Sequence, residues 1–309
     1  MTDRRTDAIT PEPARWVSVA AIAVTLLLWA SAFVAIRHLG HDFSPGALSL
    51  GRLGVGTVAL GVVALSRGLV RPSRTDLLAI IAIGVLWFGI YNIALNEGER
   101  RVDAGTASML LQVSPVLIAV LAATFLRERF TRYLAIGLFL AFAGVAVIGL
   151  STSPGGHRDA LGVGLCLVSA LVYSISLILQ KPVVARVSAL QLTWLACTVG
   201  AVVCLPFAGQ LVREAADAPV ASLLWVAYLG IFPTAIAFTT YAFALRHMPV
   251  SRLGVTTYLV PPITIVMGIL FLQEAPPSLA YVGGVLALVG VAVARHTPRT
   301  RVPEPAPAS

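Results

Sequence analysis

The chain repeats itself. Pro115 matches Pro261, Leu126 matches Leu272, Glu128 matches Glu274, Gly137 matches Gly283 and Gly144 matches Gly290, each at an offset of 146 residues. Both halves consist almost wholly of apolar stretches about twenty residues long, the length of helix that crosses a hydrocarbon core of about 30 Å. Ten such spans are expected, over residues 16–36, 45–66, 76–96, 104–126, 133–151, 160–180, 189–210, 221–245, 250–272 and 278–294. Five spans per half is an odd number, so the two halves face opposite ways across the bilayer. The expected fold is therefore an all-α polytopic membrane protein, ten transmembrane helices arranged as two inverted five-helix repeats.

Composition agrees with the bilayer as solvent. Apolar residues make up 58% of the chain and charged ones 12%, with a mean hydropathy of +0.88, which a water-soluble domain of this length could not carry. The expected organisation is a disordered N-terminus over 1–15, a first repeat over 16–151, a linker rich in Ser, Pro and Gly over 152–159, a second repeat over 160–295 and a disordered tail over 296–309. A basic leader, an apolar run and Ala30-Ser31-Ala32 imitate a cleaved signal, but removing that span would break the repeat.

The net charge of +8 does not point to nucleic acid, because the basic residues follow topology. Arg4, Arg5, Arg15, Arg67, Arg71, Arg74, Arg127, Arg129, Arg132, Lys181, Arg186, Arg246, Arg252, Arg295, Arg299 and Arg301 fall on one side; Arg37, Arg100, Arg101, Arg158 and Arg213 fall on the other. By the positive-inside rule both termini are cytoplasmic, in the cell (inner or plasma) membrane. Cys166, Cys197 and Cys204 lie within spans and read as small packing residues, with no disulfide, metal or cofactor implied.

Arg52 is the ionisable residue that falls well inside an expected span, about 10 Å along its helix from Pro45. A charge there is expensive. It either receives an anionic substrate group such as a carboxylate, or it snorkels outward and satisfies neighbouring carbonyls. No acidic residue lies mid-span, which argues against proton antiport; Glu97 and Glu99, at the outer end of the third span, are the candidates for coupling, with a solvated helix end as the alternative reading. Substrate contacts are expected from Trp29, Ser31, Trp87, Tyr91, Asn92, Gln112, Tyr173, Ser176, Tyr241 and Tyr258, a mix of aromatic and hydrogen-bonding groups suited to a small amphipathic solute. Interhelical hydrogen bonds and interfacial aromatic belts compete with that reading. Pro115 and Pro261, at matched places, are candidate hinges because proline frees a backbone carbonyl. Glu128 and Glu274 are expected to tie helix ends to neighbouring loops. Gly137 with Ala141 and Gly283 with Ala287 have the spacing of close helix contacts, expected within each repeat, with a homodimer interface as the alternative.

The chain resembles the EamA family of the drug/metabolite transporter superfamily. The resemblance is carried by Trp29-Ala30-Ser31-Ala32-Phe33-Val34-Ala35-Ile36-Arg37, Arg52, Asn92-Ile93-Ala94-Leu95, Pro115, Phe125-Leu126-Arg127-Glu128-Arg129, Gly137 and Gly144, and in the second half by Tyr241-Ala242-Phe243-Ala244-Leu245, Pro261, Phe271-Leu272-Gln273-Glu274, Gly283 and Gly290. It implies a central cavity lined by the third, fourth, eighth and ninth helices with the first and sixth, and peripheral fifth and tenth helices. It also implies alternating-access transport of small organic metabolites, with export of amino acids or their derivatives ahead of efflux of cationic drugs or uptake of a vitamin. An intramembrane enzyme would need a metal cluster, paired carboxylates or an activated nucleophile, and the five histidines sit at helix ends or in loops. A non-transporting sensor would call for long ligand-binding loops or a signalling domain. The expected partners are a small-molecule substrate and the lipid bilayer, in a monomer or a homodimer.

Overall fold

The computed structural model describes residues 15–125, 132–150, 159–247, 253 and 256–294. The termini, the 152–159 linker up to residue 158 and the tie expected at Glu128 lie outside the described residues. What is described is helical, with no strand among the described residues. In chain order the helices are α1 (Arg15–Leu39), α2 (Pro45–Ser66), α3 (Arg74–Arg101), α4 (Ala104–Leu111), α5 (Ser114–Phe125), α6 (Arg132–Leu150), α7 (Ala160–Val183), α8 (Ala189–Val203), α9 (Ala208–Asp217), α10 (Val220–His247), α11 (Val260–Leu272) and α12 (Ser278–Ala294).

Several starts are fixed by capping. Ser73, Asp103, Asp159 and Ser188 each accept a hydrogen bond from the backbone N–H three residues on, which satisfies a donor that the first helical turn leaves open. Among the described residues five helices are long and apolar enough to cross a membrane: α1, α2, α3, α7 and α10. A sixth is reached if α8 and the segment Leu205–Asp217 count as one span, but they meet at 52°. The single span expected over 189–210 is corrected here: after Cys204, Pro206 sits in a 3-10 turn, Leu205–Phe207, and the chain departs as the separate helix α9. Segments of α4–α5, α6, α11 and α12 are apolar but shorter. Large apolar side chains such as Val58, Val62, Phe139, Leu270 and Val285 are exposed around the bundle, more apolar surface than a water-soluble protein leaves open.

The two repeats pack through each other. A Cβ added at Gly230 on α10 would lie 2.6 Å from Val55 Cβ and 2.7 Å from the Arg52 carbonyl on α2. The equivalent glycine, Gly84 on α3, faces Val199 Cβ at 2.5 Å and the Ala196 carbonyl at 2.7 Å on α8. α6 and α12 also meet across the repeat boundary: Gly144 would clash with the Gly283 carbonyl and Ala287 N, and Gly290 with the Gly137 carbonyl and Ala141 N. The small residues expected to pack within each repeat therefore join the two repeats within one chain.

Both of the long helices α3 and α10 change pitch. Residues Gly84–Ile90 and Gly230–Ile236 wind as π-helix, at positions again 146 apart. A π turn inserts a residue and leaves carbonyls without their usual partners. In α3 the Asn92 side chain donates to the Trp87 carbonyl at 3.3 Å and the Phe88 carbonyl at 2.8 Å; in α10 the Thr234 hydroxyl donates to the Leu229 carbonyl at 2.7 Å. The matched prolines also alter helices, but not at the prolines themselves. The fourth span breaks at Gln112–Val113, just before Pro115, and the corresponding stretch Thr257–Leu259, just before Pro261, is a 3-10 turn.

Candidate functional site

The matched breaks meet at one cavity between the repeats. A cavity of about 60 Å³ is lined by Trp29, Ala32, Phe33 and Ile36 of α1, Arg52 of α2, Trp87, Tyr91 and Leu95 of α3, Leu111, Gln112 and Ser114 at the first break, Tyr173 of α7, Phe238 of α10, and Thr257 and Val260 at the second break. The pairs Leu111/Thr257 and Ser114/Val260 are repeat equivalents, so matched positions of the two repeats meet at the cavity between them. That is where an inverted-repeat transporter holds its solute.

Its floor is aromatic. Trp29 packs against Tyr241 at 4.7 Å and Phe238 at 5.6 Å between ring centroids, and Trp87 against Phe238 at 4.9 Å and Tyr173 at 5.0 Å. The hydroxyls of Tyr173 and Tyr241 share a hydrogen bond of 2.7 Å, which fixes the rings relative to one another.

Arg52 does not snorkel. Its side chain is 4% exposed, and Nε and Nη2 donate to Thr234 Oγ1 at 3.2 and 3.0 Å. Thr234 is held in turn by the Leu229 carbonyl that the π turn frees, so the pitch change of α10 builds the rest on which the guanidinium lies. Among the described residues no carboxylate forms an ion pair with Arg52. A buried cation without a counter-ion is costly, and an incoming anion offsets that cost. Two further polar groups on the wall are unsatisfied: the Trp29 indole N–H and the Gln112 side-chain carbonyl. Together the wall offers a cation, a donor and an acceptor over an apolar floor.

Of the residues expected to touch substrate, Trp29, Arg52, Trp87, Tyr91, Gln112 and Tyr173 are brought to this cavity. The others go elsewhere. Ser31 bonds the Tyr228 hydroxyl at 2.6 Å beside a second cleft between α1, α10 and α11. Asn92 is spent on the π turn. Tyr241 stands behind Trp29, Ser176 is buried within the bundle, and Tyr258 sits beside the lining residue Thr257 without lining the cavity itself. Phe238 and Thr234 were missed by sequence reasoning. The signal for Thr234 lay in Gly230 and Pro233 within an apolar span, a pattern that allows a local change of winding.

The end of the bundle near Leu39 and Arg101 is tied by Arg37. Its Nε lies 3.0 Å from Glu274 Oε2, and its Nη1 donates to the carbonyls of Glu99 at 3.0 Å and Arg100 at 3.2 Å. Gln273, in the left-handed conformation at φ 55°, turns the chain so that Glu274 reaches Arg37. Glu274 thus ties to a helix end rather than to a loop. At the opposite end Lys181 Nζ donates to the Leu245 carbonyl, and Leu245 is the repeat equivalent of Glu99. Asp76 and Arg186 join the repeats on that side.

The two acidic candidates at the end of α3 differ. Glu97 is partly exposed and ion-paired with Arg101 at 2.6 Å, as a solvated helix end requires. Glu99 is not solvated: it is 0% exposed, and neither carboxylate oxygen has a hydrogen-bond partner among the described residues. Helix α3 is longer than expected, which carries Glu99 inside the bundle. In the turn between α3 and α4, burial pushes the Asp103 carboxyl above the usual carboxylate range, against the pull of its hydrogen bonds from Thr106 N and Oγ1 at 2.8 and 2.6 Å.

An all-helical bundle of two matched repeats, with apolar outer surface and a polar-spotted cavity between them, defines a multi-pass membrane transporter. The sequence matches the EamA-like transporter family over residues 16–150 and again over 160–295, and the chain belongs to that family. It is 38% identical over 275 residues to a protein of Streptantibioticus cattleyicolor named "Probable terminal-alkyne amino-acid exporter", covering 89% of this chain and 92% of that one. It is 30% identical to the Bacillus subtilis "Uncharacterized transporter YdfC", over 85% of this chain and 86% of that one. A solved crystal structure at 22% identity shares the fold with a TM-score of 0.63, covering 91% of this chain and 97% of that one.

Proposed function

We propose that the protein exports small carboxylate-bearing metabolites, amino acids and their derivatives, by alternating access. Arg52 takes the carboxylate, and the aromatic floor of Trp29, Trp87, Tyr173 and Phe238 takes the apolar side chain. The observation that carries this reading is the buried Arg52 guanidinium, resting on Thr234 at the cavity wall with no carboxylate among the described residues paired to it. The S. cattleyicolor relative, named a probable terminal-alkyne amino-acid exporter, points to the same substrate class. Ten spans in two inverted repeats, both termini cytoplasmic, give the two near-equivalent packings that alternating access needs. The breaks before Pro115 and Pro261 are the hinges, because they line the cavity and already lack regular helical hydrogen bonds. Arg37 with Glu274 closes the outer end, and Lys181 on the Leu245 carbonyl closes the inner end.

A drug-cation exporter is a weaker fit, since the charge at the cavity wall is a cation. Counterflow in proteoliposomes against amino acids, their decarboxylated amines, nucleosides, sugars and cationic dyes tests the reading. Exchange of amino acids and not of the matching amines is expected; exchange of the amines or dyes alone refutes it.

A further inference from the structure

Glu99 stands out among the described acidic residues, for it is the one whose carboxylate oxygens are both buried and both without a hydrogen bond. It sits one turn beyond Leu95 and two beyond Tyr91 on the same stripe of α3, and those two residues line the cavity. Glu99 therefore lies over the outer end of the cavity. Gly98 lets α7 seal it from behind, since a Cβ there would meet Cys166 Sγ at 2.9 Å.

The groups that face it come from every side. From α1, Arg37 reaches the Glu99 carbonyl, but its charge is matched by Glu274. From α2 comes Arg52, from α7 the thiol Cys166 and from α3 itself Tyr91; Asp103, in the turn before α4, lies beside Cys166 and is occupied by Thr106. Glu97 and Arg100 pair with each other on the partly exposed side. Among the described residues that leaves Arg52, on the cavity wall, and Glu99, one turn beyond the lining residue Leu95, each without an ion-pair partner. A buried carboxyl without donors is far less costly when it holds a proton.

We propose that Glu99 is the proton site of a substrate–proton exchanger. This rests on the reading of Arg52 as the carboxylate site. In the empty carrier Glu99 is a neutral carboxylic acid. A zwitterion places its carboxylate on Arg52 and its ammonium group on Glu99, which becomes a carboxylate, and one proton leaves for each zwitterion bound. Proton and ammonium exclude each other, so the carrier crosses with one or the other, and an inward proton gradient drives export. The sign depends on the amine. A solute with a carboxylate but no amine occupies Arg52, withdraws the cation from Glu99 and favours the protonated acid, so it releases no proton.

The test uses the full chain and its Glu99→Gln variant in proteoliposomes, with propargylglycine as the zwitterionic probe and 4-pentynoate as the same skeleton without the amine. Infrared spectra at neutral pH are expected to show a protonated-carboxyl band that Glu99→Gln removes and Glu99→Asp shifts. Counterflow of propargylglycine is expected to move protons the opposite way, read by a trapped pH dye. In Glu99→Gln that proton movement disappears, and propargylglycine affinity falls about tenfold or more, the loss of a charged hydrogen bond, while 4-pentynoate exchange persists. A band unchanged in both variants, or proton movement that survives Glu99→Gln, overturns the proposal. If the band behaves as expected but neither probe exchanges on the wild-type carrier, the proton site stands and the carboxylate-substrate reading falls.

Discussion

The contact between α2 and α10 sets the position of Arg52, and Gly230 controls it. An alanine Cβ at 230 would lie 2.6 Å from Val55 Cβ and 2.7 Å from the Arg52 carbonyl. Ordinary contact needs about 1 Å more, and because one of the obstructing atoms is backbone, the helices must part; overpacking of this kind costs about 1–3 kcal/mol. Alanine also recovers about 1 kcal/mol of helix propensity relative to glycine. Gly164 on α7 corrects for that gain, since a Cβ there meets nothing within 4 Å. Gly230→Ala is therefore expected to be about 1–3 kcal/mol less stable than Gly164→Ala, in denaturation by SDS from mixed micelles. The same displacement draws Arg52 off Thr234, so carboxylate affinity in counterflow should fall in Gly230→Ala and not in Gly164→Ala. Equal stability of the two variants would refute the packing argument. A stability loss with unchanged carboxylate affinity would refute the link between that contact and the site.

Arg52→Gln should weaken carboxylate solutes about 10–100-fold, for a charged hydrogen bond of about 1.5–3 kcal/mol, with membrane expression retained; Arg52→Lys should not restore affinity, because a single ammonium cannot both rest on Thr234 and meet a carboxylate as a planar fork does. Loss of expression instead would mark Arg52 as structural. Glu274→Gln should increase labelling of Gln112→Cys by an impermeant thiol reagent from the Leu39 side, measured on intact cells, since it releases the Arg37 tie while leaving the cavity walls unchanged. Gly144→Leu should lower unfolding stability without changing oligomeric mass in detergent, because α6 and α12 meet inside one chain. Cysteines at Ser73 and Ala185 should be reachable from the cytoplasm and those at His41 and Asp217 from outside; the reverse pattern would overturn the orientation.

Some of this was legible in the sequence because the responsible physics is local. Apolarity over about twenty residues is a property of a segment, so the membrane class and the twofold architecture follow from residues alone. The offset of 146 also marks Pro115 and Pro261 as matched hinge candidates, although the breaks themselves fall just before them. The cost of a buried charge singled out Arg52 without reference to any neighbour. Which face each helix turns inward is a different matter. Two π turns rotate the stripe of α3 and α10, so Asn92 is spent on freed carbonyls and Thr234 becomes the support of Arg52. The small residues of α6 and α12 announce close contact but not with whom, and only packing shows that each repeat closes on the other. Glu99 reads as a solvated helix end from its polar neighbours Glu97, Arg100 and Arg101. The tertiary fold buries it, because Gly98 brings α7 against that turn and Arg37 covers its carbonyl. Chain chemistry determined that there is a bilayer bundle with a duplicated plan. The rotation and close approach of helices, which depend on partners far along the chain, decided where its charges meet.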